Sequence, residues 1–172
     1  YLFSLLLLCG CSHHPLVQNP QNSIIYLPPA QTESEILRFA PHFLTFNSFS
    51  EHNLIGKVSA RFTANTEEDI FIDTNHPTLY HGTDSFTTER DNYTNYIYRV
   101  HFPETPFSLF PFYLTSGSNP GLIIIVTVGS DRNPLLVTAI HTCGCYLAII
   151  PTSFLPKDAY PECWDHRVLK VY

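Results

Sequence analysis

Three residues near the end of one long apolar segment have side chains that could do chemistry. His141, Cys143 and Cys145 lie two positions apart, and alternate side chains of an extended strand project to the same face. Imidazole and thiolate groups are ligands that zinc and copper favour. Cys163 and His166, farther along the chain, could complete the coordination shell. The pattern therefore predicts a candidate zinc or copper site, although the chain has no paired C-x-x-C motif and none of the usual zinc spacings.

The same sulfur atoms fit two other chemistries. In an oxidising compartment, Cys163 could form a disulfide with Cys143 or Cys145. The last two could also close a small ring if Gly144 turns the chain, because a fully extended strand holds alternate Cα atoms about 6.6 Å apart, near the upper limit for a disulfide. Alternatively, one cysteine could be a nucleophile. Its activating and orienting partners would be drawn from His141, His101 and Asp165.

A structural role is the simplest alternative for the cysteines. A cysteine can pack as a small apolar side chain, and His141 could cap the end of a strand. The residues alone leave four interpretations open: a structural role, a disulfide, a metal site and a nucleophile. The sequence therefore does not define an activity, and it favours a non-enzymatic protein over an enzyme.

The reactive residues belong to a predicted β-hairpin that is central to the fold. Two apolar runs rich in β-branched residues, 122–128 and 135–141, flank a polar turn that contains Gly, Asp, Asn and Pro. The first run is apolar at consecutive positions, so both of its faces are expected to be buried. This pattern places the hairpin inside a sheet and not at its edge.

Other segments predict the rest of a mostly β fold. Clean alternation of apolar and polar residues at 54–64 and 93–102 indicates two half-buried strands. Thr32 and Glu35 have capping-box spacing before an apolar run, and Pro41 ends the short helix that they begin. Short strands separated by Pro, Asn and Gly turns favour an antiparallel β-sandwich or open barrel with one short N-terminal helix.

Composition is consistent with one folded domain, which we predict at 31–172. The chain has 172 residues, of which 44% are hydrophobic and 14% are charged, so it can form a core and is not expected to be disordered. The formal charge is −6, and the lysines and arginines are scattered singly. Because nucleic-acid surfaces need clustered cations, the pattern argues against a nucleic-acid partner.

The start of the sequence has the pattern of an export signal. The apolar run at 2–8 is too short to span a bilayer, which needs about 20 residues, but it fits the apolar part of a secretory signal. The motif Leu-Cys-Gly-Cys at 8–11 resembles a bacterial lipobox. The resemblance implies a truncated lipoprotein signal peptide at 1–10 and a lipid on Cys11.

The lipobox resemblance also implies a subcellular location and a class of function. A lipidated Cys11 followed by a Pro- and Asn-containing tether at 11–30 would hold the domain near a membrane. Ser12, directly after the cysteine, resembles the signal of an outer-membrane lipoprotein that faces the periplasm. We therefore predict an envelope lipoprotein with a non-enzymatic binding or structural role, and its aromatic-rich surface is the expected binding region. The alternative is a metal-binding or thiol-redox protein that uses the His-x-Cys-x-Cys cluster.

Overall fold

The computed structural model describes residues 22–28, 34–63, 66–107, 109, 116–144 and 146–162. These residues form eleven strands, one α-helix and two short 3₁₀ turns. The strands are β1 (Ser23–Tyr26), β2 (Phe43–Phe46), β3 (Lys57–Phe62), β4 (Glu68–Asp73), β5 (Tyr80–Thr87), β6 (Asn92–His101), β7 (Glu104–Thr105), β8 (Gly117–Ser118), β9 (Gly121–Val128), β10 (Pro134–His141) and β11 (Leu147–Pro151). The helix, α1, spans Glu35–Arg38, and the 3₁₀ turns span Glu51–Asn53 and Lys157–Ala159.

The largest unit is a five-stranded antiparallel sheet in the order β11-β10-β9-β6-β5. The predicted central hairpin is confirmed as β9 and β10. Each of these strands has a partner on both sides, as the unbroken apolar runs require. Three two-stranded sheets accompany the large sheet: β1 with β2, β3 with β4, and β7 with β8.

The two faces of the large sheet have different surroundings. On one face, which we call the helix face, Tyr96, Tyr98, Val126 and Val128 form the buried cluster of the core. Side chains from α1 and from two neighbouring stretches pack on this cluster: Ile36, Phe39, Ala40, Leu79 and Ile124. We call the other side of the sheet the opposite face. The prediction for 93–102 is therefore confirmed, because the alternate residues of β6 that include Tyr96 and Tyr98 point into the core.

Helix α1 is only four residues long and depends on the sheet for its position, because so short a helix is not stable alone. The hydroxyl of Tyr98 donates a hydrogen bond to the carbonyl oxygen of Ile36. The hydroxyl of Tyr96 donates to the carboxylate of Glu35 at 2.9 Å, and Arg132 forms an ion pair with the same carboxylate. These contacts lower the pKa of Glu35, the Tyr96 hydrogen bond most.

Two predictions about local structure differ from the structure. The helix begins after Ser34, which makes no side-chain capping bond, and the predicted cap Thr32 lies outside the described residues. The predicted burial of one face of 54–64 is wrong, since Val58 is 38% exposed and Phe62 is 78% exposed. Among the described strands, β3 has extensive contact only with β4, so most of its apolar side chains stay exposed.

The prediction of a mostly β, antiparallel fold is confirmed. The described residues form a mostly β structure with antiparallel pairing and one short helix. The five-stranded sheet does not close into a barrel, since β5 and β11 are its edges. Among the described residues, none of the helical segments has the length and apolar character needed to cross a bilayer.

Candidate functional site

Two of the reactive residues predicted from the sequence, His141 and Cys143, lie at the turn between β10 and β11. His141 is the last residue of β10, and its N–H donates to the carbonyl oxygen of Tyr146 at 3.1 Å. The N–H of Gly144 donates back to the carbonyl oxygen of His141 at 2.7 Å. Gly144 has a φ of +73°, a left-handed conformation that favours glycine. The bend expected at this glycine is therefore present.

The side chain of His141 faces the sulfur of Cys143. Its Nδ1 lies 3.0 Å from Sγ and 3.3 Å from the backbone nitrogen of Cys143. The same nitrogen therefore faces both the sulfur and the main chain of this residue. The N–H of Cys143 donates to Nδ1, so this contact requires the tautomer whose Nδ1 carries no proton, and a thiol at Cys143 would donate to the same nitrogen. An Nδ1 that carries the proton would instead donate to the sulfur.

The structure corrects the expected arrangement of the cluster. The three residues were predicted to share one face of an extended strand, but β10 ends at His141 and Cys143 lies in the turn. Within the part of the chain that the structure describes, no three His, Cys, Asp or Glu side chains form a group that could hold a metal ion. The other predicted residues lie outside the described residues: Cys11, Cys145, Cys163, Asp165 and His166.

A second histidine lies buried at the same end of the sheet. His101 is 7% exposed, and its Nδ1 has no hydrogen-bond partner. It faces the backbone of Gly121, where an added Cβ would lie 3.0 Å from Nδ1. Because this nitrogen is packed against main chain and not against a sulfur of the described chain, the structure does not support His101 as the base of a cysteine nucleophile.

The burial of His101 predicts a pH-dependent stability. Desolvation, with a smaller contribution from Arg99, lowers the pKa of His101 in the folded protein below its ordinary value of 6.5. Between the folded pKa and pH 6.5, the unfolded chain therefore binds more protons than the folded protein. The stability that the neutral His101 contributes is fully present above pH 6.5, and it is lost as the pH falls through the folded pKa. Urea unfolding between pH 5 and 8 measures this dependence.

His101→Gln should flatten the stability profile below pH 6.5, because the replacement does not titrate. The matched control is His42→Gln, at a histidine that is exposed on the surface. If the pH profile of stability were the same in His101→Gln as in the wild type, the assignment of this pH dependence to His101 would be contradicted.

The sequence did not reveal a cavity of about 610 Å³ on the helix face of the sheet. Its walls come from β1 and β2, from α1 and from the segment that leads into β5, and the sheet closes it at Val100. The lining residues are Ile25, Tyr26, Leu27, Pro28, Leu37, Pro41, Phe43, Ile55, Pro77, Thr78, Leu79, His81 and Val100. These residues come from five separate stretches, and no local motif connects them.

Few polar groups interrupt the lining. The hydroxyl of Tyr26 is already engaged, since it accepts a hydrogen bond from the N–H of Ile55 at 3.2 Å. The hydroxyl of Thr78 donates to the carbonyl oxygen of His76 at 2.9 Å. His81 supplies the one imidazole among the lining residues. The cavity therefore offers apolar contact on most sides and one imidazole as a possible hydrogen-bond partner.

Comparison with protein-family models, curated proteins and solved structures gives no match to this chain.

Proposed function

We propose that the protein is a non-enzymatic binding protein of the bacterial envelope that holds a small, mainly apolar molecule in the cavity beside α1. The single observation that carries this proposal is the cavity itself. Its volume, about 610 Å³, lies within the range of small-molecule sites, and its lining is mostly aliphatic and aromatic with few polar groups. His81 would contact a polar end of the ligand.

The layers of the fold are a second part of the proposal. We propose that the β1–β2 ribbon and α1 form the second layer of an open β-sandwich over the five-stranded sheet. The packing of Ile36 and Phe39 on the core cluster supports this layer, as does the hydrogen bond between Tyr26 and Ile55. The cavity lies between these two proposed layers, with residues of β1, β2 and α1 on one side and Val100 of the sheet on the other.

A neutral fluorescent probe, N-phenyl-1-naphthylamine, tests the cavity directly. The wild-type protein should enhance its fluorescence saturably, and dodecanol should displace it. Thr78→Trp, which fills the cavity from its wall, should reduce probe binding at least tenfold while circular dichroism and the melting temperature change little. The matched control is Thr74→Trp in the preceding turn, at a residue that does not line the cavity. Equal binding by both variants would contradict the proposal.

The proposed location depends on the lipobox at the start of the chain. We propose that a lipid on Cys11 anchors the protein to the outer membrane, with the domain in the periplasm, so that the membrane is its first partner. Metabolic labelling with palmitate in a bacterial host tests the anchor. Cys11→Ser should abolish labelling and release the protein from the membrane fraction, whereas Cys9→Ser should retain both. Labelling of the Cys11→Ser variant would contradict the assignment.

The contact between His141 and Cys143 favours a second candidate function, thiol–disulfide exchange. In this proposal Cys143 forms a disulfide, and a thiolate of an external dithiol attacks the sulfur of its partner cysteine. A mixed disulfide forms with that sulfur, and the Cys143 sulfur leaves as a thiolate. The imidazole of His141, 3.0 Å away, would donate a proton or a charge-assisted hydrogen bond to that leaving sulfur. The disulfide of Cys143 and its partner, either Cys145 or Cys163, are both part of this proposal.

Removal of the imidazole should therefore slow reduction of the disulfide. His141→Ala should reduce the rate with dithiothreitol about fivefold, the effect of roughly 1 kcal/mol from one lost hydrogen bond. His42→Ala, at an exposed histidine elsewhere, should react like the wild type. Mass spectrometry of alkylated peptides follows the reaction and identifies the partner cysteine. Zinc or copper bound stoichiometrically to the purified protein, and lost in His141→Ala, would instead favour the predicted metal site.

A further inference from the structure

A second concave surface lies on the opposite face of the sheet, at the other end from the cavity. It encloses about 850 Å³, and we call it the acidic groove. Its floor comes from four adjacent strands of the large sheet: Phe86 of β5, Tyr93 of β6, Thr127 of β9 and Leu136 of β10. Because it shares no residue with the cavity beside α1, its role is independent of the function proposed above.

Aromatic rings form the apolar part of the groove. Phe86 and Tyr93 are paired across β5 and β6, and their rings are stacked with centroids 5.2 Å apart and planes at 23°. Phe86 is 42% exposed, and Phe154, from the segment after β11, is 53% exposed. These exposed rings offer apolar contact surface, and an aromatic face that is left uncovered attracts a cation.

Carboxylates surround these rings. The groove is lined by Glu89, Asp91, Asp131 and Asp158, against a single cation, Arg90. Asp91 joins two walls of the groove, since it accepts hydrogen bonds from the N–H groups of Asn92 at 2.8 Å and Ser130 at 3.3 Å. Hydrogen bonds, with that from the Ser130 side chain as the largest cause, lower the pKa of Asp91.

We propose that the acidic groove binds an organic cation, an ammonium or guanidinium ion with an apolar body. The apolar body would lie on Phe86, Tyr93 and Phe154, and the positive charge would face the aromatic rings and the carboxylates. Charge complementarity argues for a cation, because four carboxylates and one guanidinium line the groove. Asp91 and Asp131 accept hydrogen bonds from neighbouring turn residues, so Glu89 and Asp158 are the carboxylates assigned to the ligand. The volume argues for a small molecule, because it lies within the range of sites for compounds of drug size.

Calorimetric titration with three probes tests each part of the proposal. Phenethylamine, which is protonated at neutral pH, should bind one molecule per protein. The neutral compound 2-phenylethanol tests the need for charge, and methylammonium tests the need for an apolar body. Both should bind at least tenfold more weakly than phenethylamine. Raising sodium chloride from 0.05 to 0.5 M should weaken phenethylamine binding, because salt screens exposed charges.

Two variants assign the binding to the groove. Glu89→Gln combined with Asp158→Asn should weaken phenethylamine binding about tenfold, whereas Phe86→Leu, which keeps an apolar side chain without a π-system, should weaken it about threefold. The matched control, Glu67→Gln combined with Glu68→Gln, removes the same charge from exposed positions at the β3–β4 hairpin. It should leave binding unchanged. Equal loss in the control would show a general charge effect and overturn the proposal, and so would equal binding of phenethylamine and 2-phenylethanol.

Discussion

Replacing Tyr98 with alanine is expected to destabilise the protein by about 3–5 kcal/mol, the usual cost of truncating a large buried aromatic side chain. Tyr98 is fully buried at the centre of the core cluster. Its hydroxyl also holds α1 through the carbonyl oxygen of Ile36. The substitution therefore removes apolar packing and detaches the helix from the sheet. Urea unfolding, followed by circular dichroism, measures the loss of unfolding free energy.

Two further variants separate the contributions at this position. Tyr98→Phe keeps the ring and removes the hydroxyl, so it should cost about 1 kcal/mol, the value of one hydrogen bond. Tyr146→Ala truncates a tyrosine that is 58% exposed, and it should cost less than about 1 kcal/mol. If Tyr98→Ala were no more costly than Tyr146→Ala, the core would not be centred on Tyr98.

The second large effect is expected at Gly121, the first residue of β9. A Cβ there would lie 2.7 Å from the carbonyl oxygen of Val100 and 2.8 Å from a methyl carbon of Thr142, with the His101 ring 3.0 Å away. The oxygen belongs to the main chain of the paired strand and cannot move without breaking the β6–β9 register. Gly121→Ala should therefore destabilise the protein by about 1–3 kcal/mol or more, as overpacking does.

Gly82→Ala is the matched control, because it makes the same substitution in β5 of the same sheet. An added Cβ at Gly82 meets no atom within 4 Å. Alanine also has less backbone freedom to lose on folding, so this variant should be stabilised by about 0.5–1 kcal/mol. Melting curves of the two variants should therefore shift in opposite directions. A shift of the same sign and size in both would contradict the close approach at Gly121.

The parts of the fold that could be predicted are those whose signal is local. The apolar runs at 122–128 and 135–141 predicted the central hairpin, because long apolar, β-branched runs favour interior strands of a sheet. The expected burial of both faces is only partial, since most side chains of β9 and all of those of β10 are half-buried. Alternation in 93–102 predicted which residues of β6 enter the core, including Tyr96 and Tyr98. The same rule wrongly predicted burial of one face of 54–64. Alternation indicates that a strand has an apolar face, but it does not indicate what covers that face.

The candidate sites depended on information that the sequence does not carry locally. The end of β10 at His141 could not be located to one residue, and that boundary decides whether Cys143 lies on a strand face or in a turn. The cavity beside α1 and the acidic groove are each built from separate stretches of chain that meet only after the sheet has formed. Their residues show no spacing that would relate them in advance.

The order of strands in the large sheet has a consequence for how the chain folds. Neighbours in space follow each other along the chain, from β5 and β6 through β9 and β10 to β11. Most pairings therefore close short loops, and the one long closure joins β6 to β9 across the segment that contains β7 and β8. Short loops lose less conformational entropy on closing, so these hairpins are expected to pair before the long closure forms. The joining of the two hairpins at the β6–β9 ladder is accordingly the step expected to limit the folding rate.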